Sequence, residues 1–210
     1  MLCFQTIEPK TLDLLKWIQR QPLCEAFRLI GGTALALQIG HRTSIDLDFM
    51  GNRPIEPFEL EHALREYGSL SVQNRGRQIQ TYVLEGIHVD FLTYEFPWIE
   101  PPVEAEGLRL AGCREIAAMK LAAITNRGTR KDFIDLAFLL KRFDLDRMIG
   151  FYRQKFPDFD LFSLLKSLAY FEDAETDPMP KMLRPFDWPS AKASLLKALK
   201  CCAAATGCKL

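Results

Sequence analysis

The sequence has no run of 18 consecutive apolar residues, and its opening MLCFQTIEPK holds no basic segment leading into an apolar one. Neither a membrane-spanning helix nor a secretory leader is expected, so the sequence reads as a soluble, cytoplasmic protein without a membrane partner. Cys-x-x-Cys pairs are also missing. Cys3, Cys24 and Cys113 stand alone, while Cys201, Cys202 and Cys208 crowd the last ten residues; reduced thiols are expected. His41, His62 and His88 adjoin no cysteine, which leaves a zinc site little support. Nor is there an excess of one charge: 27 Lys and Arg balance 27 Asp and Glu, so net charge neither announces nor excludes a nucleic-acid partner. No internal repeat occurs, and the Ala/Cys tail suggests no role.

What is present is enough apolar material for a core, at 48% of 210 residues. TLDLLKWIQRQ has helical spacing, as does PFELEHALREYG, which places Leu60, Ala63, Leu64 and Tyr67 on one stripe. Between Ser69 and Tyr94 the period changes to two on both sides of Glu85-Gly86, as in a hairpin. Pro97, Pro101 and Pro102 break that pattern, and from about Arg114 onward the chain reads as helices. The expected fold class is α+β: a small mixed β-sheet flanked by helices over 1–105, then a helical region over 106–210.

Residues 28–50, RLIGGTALALQIGHRTSIDLDFM, carry the chemistry. A strand-like run enters Gly31-Gly32-Thr33, a short helix follows, and a second strand bears Asp46 and Asp48. Strand alternation places Ile45, Leu47 and Phe49 on one face and both aspartates on the other, with roughly 6.5–7 Å between the aspartate Cα atoms. Two carboxylates at that spacing suit Mg²⁺, or Mn²⁺ in its place, a hard cation that takes its other ligands from water and phosphate. An isolated Asp-x-Asp is equally the mark of a half-exposed edge strand with solvated acids. The glycine turn adds backbone amides and a helix N-terminus, which favour an anion. GIHVDFL repeats the logic: Ile87, Val89 and Phe91 face the core and leave Asp90 opposite, so Asp46, Asp48 and Asp90 form the candidate metal set if the two strands are neighbours.

Two polar residues stand out in the helical half. Lys120 falls between Ile116 and Ile124, inside the apolar stripe of its helix. It either snorkels outward or, as preferred here, reaches inward to phosphate or a carboxylate. Asp132 lies between the directions of Leu136 and Leu139, where N-capping is the plainer explanation of its place in a first turn. Asp135 reads as a solvated or salt-bridged surface residue.

Gly31-Gly32, thirteen intervening residues, Asp46-Leu47-Asp48 and a later strand with Asp90 resemble the nucleotidyltransferase superfamily typified by DNA polymerase β. More narrowly, GGTALALQIGHRTSIDLDF with KLAAITNRGTRKDFIDLAFLL resembles the AbiEii/AbiGii abortive-infection toxin family, over roughly residues 27–143. The resemblance implies a polymerase β-like nucleotidyltransferase core. It also implies transfer of a nucleoside monophosphate from a nucleoside triphosphate (NTP) to an acceptor, with a tRNA 3′ end as the acceptor class and a cognate antitoxin as a partner. Gly31, Gly32 and Thr33 would cradle the triphosphate, although Thr33 stands where many members have serine. Asp46, Asp48 and Asp90 would bind metal, with Asp90 also eligible as base. Lys120 would meet phosphate, and Asp132 would orient it or act as an alternative base. Arg42, Arg75, Arg77, Arg127, Arg130 and Lys131 are candidates for a basic rim, or are simply scattered surface cations. A small-molecule, aminoglycoside-like acceptor and a non-catalytic binding module are the rival readings.

Overall fold

The computed structural model describes residues 1–94 and 96–206, with side chains described as far as Cys202. By internal packing they form two units: Met1–Pro97 with Pro101–Gly112, and Trp98–Glu100 with Cys113 onward. Together they make an α+β fold, and among the described residues no helix is long and apolar enough to cross a membrane.

The first unit holds helices α1 (Pro9–Arg20), α2 (Gly31–Ile39) and α3 (Pro57–Arg65) and one seven-stranded sheet. Its strands are β1 (Arg28–Leu29), β2 (Leu47–Gly51), β3 (Leu70–Arg75), β4 (Ile79–Leu84), β5 (Ile87–Thr93), β6 (Val103–Ala105) and β7 (Leu108–Leu110), in the order β3-β4-β5-β2-β1-β7-β6. β4 and β5 form the expected hairpin; Glu85 and Gly86 both take positive φ, at 53° and 80°, the turn that matches strand twist. β2 and β5 are parallel neighbours, the adjacency on which the carboxylate set depends. A second hairpin, β6–β7, turns at Glu106-Gly107 and joins the sheet through Leu29 and Leu110. These two strands show no period in the sequence, because three residues beside a proline-broken run are too short to carry one.

One sheet face is the core. Leu47, Phe49, Val89, Phe91 and Tyr82 are all at most 2% exposed. The Phe49 and Phe91 rings stack at 5.1 Å, with Phe27 edge-on to Phe91 at 5.6 Å. Leu60 and Leu64 of α3 are buried as their spacing required. Ile45 departs from expectation: it is 57% exposed, because the chain joins the ladder only at Leu47 and the period of two does not extend back to it.

The second unit is helical: α4 (Cys113–Asn126), α5 (Arg130–Leu139), α6 (Leu145–Lys155), α7 (Leu161–Leu168), α8 (Glu172–Thr176) and α9 (Trp188–Thr206). Asp144 and Asp160 cap α6 and α7 by accepting from first-turn amides. Lys155 pairs with Glu115 in full burial, and Glu115 also accepts from the Ile99 amide at 2.8 Å, which ties 98–100 into this unit. The Ala/Cys tail continues α9, with Cys202 buried; Cys208 lies outside the described residues.

Phe49→Ala should cost about 3–5 kcal/mol, since it leaves a cavity against Phe91 and Tyr82. Urea unfolding followed by circular dichroism measures it, and a loss below about 1 kcal/mol contradicts this account of the core.

Candidate active site

α2 begins where β1 ends. Gly31 takes φ +69°, a conformation that side chains rarely adopt, and turns the chain from the strand into the helix. The first backbone bond of the helix runs from the Ala34 amide to the Ile30 carbonyl, so the amides of Gly31, Gly32 and Thr33 sit in the first turn, where helix geometry supplies no intrahelical acceptor. They form a positive helix end able to receive an anion.

Beside that turn lie two carboxylates. Asp48 on β2 and Asp90 on β5 are register partners in the parallel pair, so their side chains leave the same sheet face from strands about 4.8 Å apart. Asp48 Oδ2 lies 2.6 Å from where a Cβ on Gly31 would stand; any other residue at 31 would displace the carboxylate. The Ile30 amide bonds the Asp48 carbonyl at 2.8 Å and locks this approach. Asp90 Oδ1 is buried and accepts no hydrogen bond among the described residues.

Two carboxylates set directly opposite one another on a sheet face are mutually destabilising. Side-by-side acids with an unsatisfied buried oxygen are not how a sheet is stabilised. Hard oxygen donors of net charge −2, beside a glycine that leaves room for them, do fit a small divalent cation. Among the described residues, no three His, Cys, Asp or Glu side chains are gathered into a ready metal cage. The three expected carboxylates therefore divide: Asp48 and Asp90 are paired by register, whereas Asp46 precedes β2 and is not held by its pleat.

The loop carrying Asp46 is fastened by its neighbours. Thr33, 1% exposed, donates its hydroxyl to the Asp46 carbonyl at 2.5 Å and lies 2.9 Å from the Ser44 hydroxyl. This hydroxyl thus fastens the Asp46 loop, while the Thr33 amide stays in the helix end. Buried Arg42 bonds the Thr43 carbonyl at 2.9 Å in the same loop.

The second unit gathers Lys120, Asp132 and Asp135. Lys120 is 5% exposed and the two acids are at 0%. Its ammonium lies 2.8 Å from Asp132 Oδ1 and 2.6 Å from Asp135 Oδ2. The inward reading of Lys120 holds. The surface assignment of Asp135 does not: its helix is covered on that side as well, so it lies in the same buried cluster. Thr129 donates to Asp132 Oδ2 at 2.7 Å, and Arg127 reaches the same oxygen at 3.1 Å. Burial alone would push the Asp132 carboxyl up, but the charges of Lys120 and Arg127 and their hydrogen bonds prevail and hold it down at about 2.

The six candidate rim cations do not act alike. Arg42 is buried, Arg75 pairs with Glu61 at 2.6 Å, and Arg130 folds back on the Ala174 carbonyl and Glu175. Arg77 and Lys131 are exposed, as is Arg127 while it bonds Asp132.

A family described as "Nucleotidyl transferase AbiEii toxin, Type IV TA system" matches residues 13–199. An uncharacterized protein of Aquifex aeolicus is 34% identical over 161 residues, 74% of this chain and 78% of that one. JHP933 from Helicobacter pylori has a similar fold, with TM-score 0.57 and 19% identity over 93% of this chain and 92% of that one. So do MenT4, a nucleotidyltransferase toxin of Mycobacterium tuberculosis (TM-score 0.52, 16%, covering 90% and 80%), and the antibiotic-resistance factor ANT(2″)-Ia (0.54, 14%, covering 68% and 89%).

A carboxyl lowered from 3.8 to about 2 on folding stabilises the fold above pH ~4 by about 2 kcal/mol, and that contribution is lost as pH falls through about 2. Asp132→Asn should therefore be less stable than the parent at pH 6, with the gap closing between about pH 4 and 2. Urea titrations of both proteins across that range test it; a gap independent of pH contradicts the assignment.

Proposed function

The chain belongs to the AbiEii family of nucleotidyltransferase toxins, and from that premise we propose that it moves a nucleoside monophosphate from an NTP to the 3′ end of an RNA, tRNA being the acceptor class, with Mg²⁺ or Mn²⁺ held by Asp48, Asp90 and Asp46. The observation that carries this reading is the in-register Asp48–Asp90 pair set against Gly31 at the start of α2. Two carboxylates beside a helix N-terminus support a reading in which a cation and a triphosphate bind side by side.

In this reading the amides of Gly31, Gly32 and Thr33 receive the triphosphate, and the missing Cβ at residue 31 lets phosphate and the Asp48 carboxylate share the space. A bound divalent cation supplies charge neutralisation and polarisation of the phosphate. The acceptor hydroxyl attacks the α-phosphorus, the bond to pyrophosphate breaks, and the hydroxyl proton passes to a carboxylate. Asp90 suits that last role, because its buried Oδ1 accepts no hydrogen bond among the described residues.

From the family resemblance, Lys120 is proposed to meet phosphate and Asp132 to orient it. Asp132 and Asp135 hold the Lys120 ammonium in one place, as a group meeting developing phosphate charge must be held. The family description, a toxin of a toxin–antitoxin system, supports a toxin restrained by a cognate antitoxin; its action on RNA in the cytoplasm is part of this proposal.

The test incubates the purified chain with each labelled NTP, Mg²⁺ and total tRNA. Transfer should occur and fall by at least about 100-fold in Asp48→Asn and Asp90→Asn; label transfer unchanged in either variant sinks the reading. Millimolar Mg²⁺ or Mn²⁺ should raise the melting temperature of the parent and not of the double variant, as expected when a ligand relieves like-charge repulsion. Gly31→Ala should lose transfer by a similar factor at a stability cost of only about 1–2 kcal/mol from its positive φ; retained activity would show that residue 31 need not be open.

A further inference from the structure

The carboxyl ends of β2 and β5 and the start of β4 enclose a cavity of about 670 Å³, within the size range of ligand sites. Arg77, Ile79, Leu92, Tyr94, Phe96 and Asn52 line it. Its position relative to the carboxylates follows from register. Asp90 pairs with Thr81 across β4–β5, and Leu92 pairs with Ile79. Two residues along a strand return to the same face, so Leu92 and Ile79 stand about 7 Å beyond Asp90 and Thr81 on the carboxylate face. α2 starts at the opposite end of β2, next to Asp48. The phosphate-receiving turn and the cavity therefore flank the carboxylate pair along the strand direction.

The lining suits one chemistry. Tyr94 and Phe96 form a tilted ring pair with centroids 4.8 Å apart, and Phe96 is 38% exposed. Ile79, 44% exposed, is apolar surface turned to solvent on the same face. Arg77 is the charged member of the described lining and is exposed at its rim. Of the charged side chains, the described lining holds a cation, Arg77, which suits a phosphate. A flat heteroaromatic ring with an adjoining phosphate finds both partners. The floor is fixed before any ligand arrives, because the Thr93 amide bonds the Gln78 carbonyl and the Tyr94 amide bonds the Gly51 carbonyl, each at 2.8 Å.

We propose that this cavity is the acceptor subsite: it takes the terminal nucleotide of a single-stranded RNA, its base against Tyr94, Phe96 and Ile79 and its 5′-phosphate on Arg77, so that the 3′-hydroxyl faces Asp90. The proposal rests on the reading of Asp48 and Asp90 as the transfer centre. The incoming NTP carries a base of the same kind, but its phosphates belong to the far side of the carboxylate pair, at α2.

Steady-state transfer to a short single-stranded RNA with a free 3′-hydroxyl separates the two sources. Arg77→Glu and Tyr94→Ala should each raise the RNA KM about 10-fold, with the NTP KM unchanged, and Tyr94→Phe should restore it because the ring is kept. In parallel, RNA ending in 4-thiouridine should photocrosslink to residues 92–96 of the Asp48→Asn protein, a readout that needs no turnover. An RNA KM unmoved in both variants, while Asp48→Asn still abolishes transfer, overturns the subsite and leaves the transferase reading intact. A rise in the NTP KM instead assigns the cavity to the donor base and equally overturns the proposal. If the parent transfers to no RNA, the transferase reading fails; the crosslink then decides the cavity alone, and its absence from 92–96 rejects it.

Discussion

The first unit depends on the parallel pairing of β2 with β5. One register fixes both faces of the sheet at once: it stacks Phe49 on Phe91 in the core and sets Asp48 beside Asp90 on the reverse. A slip of one residue would turn both sets over. The apolar face, with Tyr82 and Phe27 closing around the two phenylalanines, supplies the free energy that holds two like charges side by side. Core and site are thus two sides of one constraint, and the acidic face survives because the greasy face cannot move.

The helical unit solves a similar problem by the opposite means. Here a charge that would be costly to bury is surrounded rather than left beside its like. Lys120 lies between Asp132 and Asp135, and Asp132 is in turn held by Thr129 and Arg127. Buried ion pairs contribute little net stability compared with apolar packing, but removing one partner strands the others, so such a cluster is rigid. Rigidity of an ammonium is worth having where phosphate charge must be met without reorganisation. Glu115 and Lys155 repeat the pattern at the base of α4 and fasten residues 98–100.

Legibility differed by element. Gly31-Gly32, Asp48 with Asp90, and the Glu85-Gly86 hairpin could be read because each has a local signature: a φ that needs glycine, a period of two, a tight turn; the period failed at Asp46 and Ile45, which precede the ladder. Lys120 and Asp132 betrayed themselves by standing inside apolar stripes. Asp135 gave no such sign, since whether a helix flank meets solvent or another helix depends on packing from distant sequence. Thr33 was legible as part of the turn, but its bond to the Asp46 carbonyl, thirteen positions on, is one that no pattern announces. The β6–β7 strands and the cavity at the carboxyl end of β5 were invisible for the same reason. Short strands carry no period, and Arg77, Tyr94 and Phe96 come together only through the β4–β5 register and the chain's exit from β5.

Local sequence is enough to specify the chemistry available: a glycine turn before a helix, carboxylates on the polar face of strands, a lysine and an aspartate out of place in apolar faces, and the family that shares them. Those are properties of residue type and local spacing, and local geometry is enough to express them. Which carboxylates are neighbours, that Asp46 stands outside the pleat, that Asp135 is buried and that a cavity opens at the carboxyl ends of β2 and β5 depend on tertiary packing. Each of these is a relation between segments far apart in the chain, set by which surfaces bury against each other, and burial is a property of the whole fold.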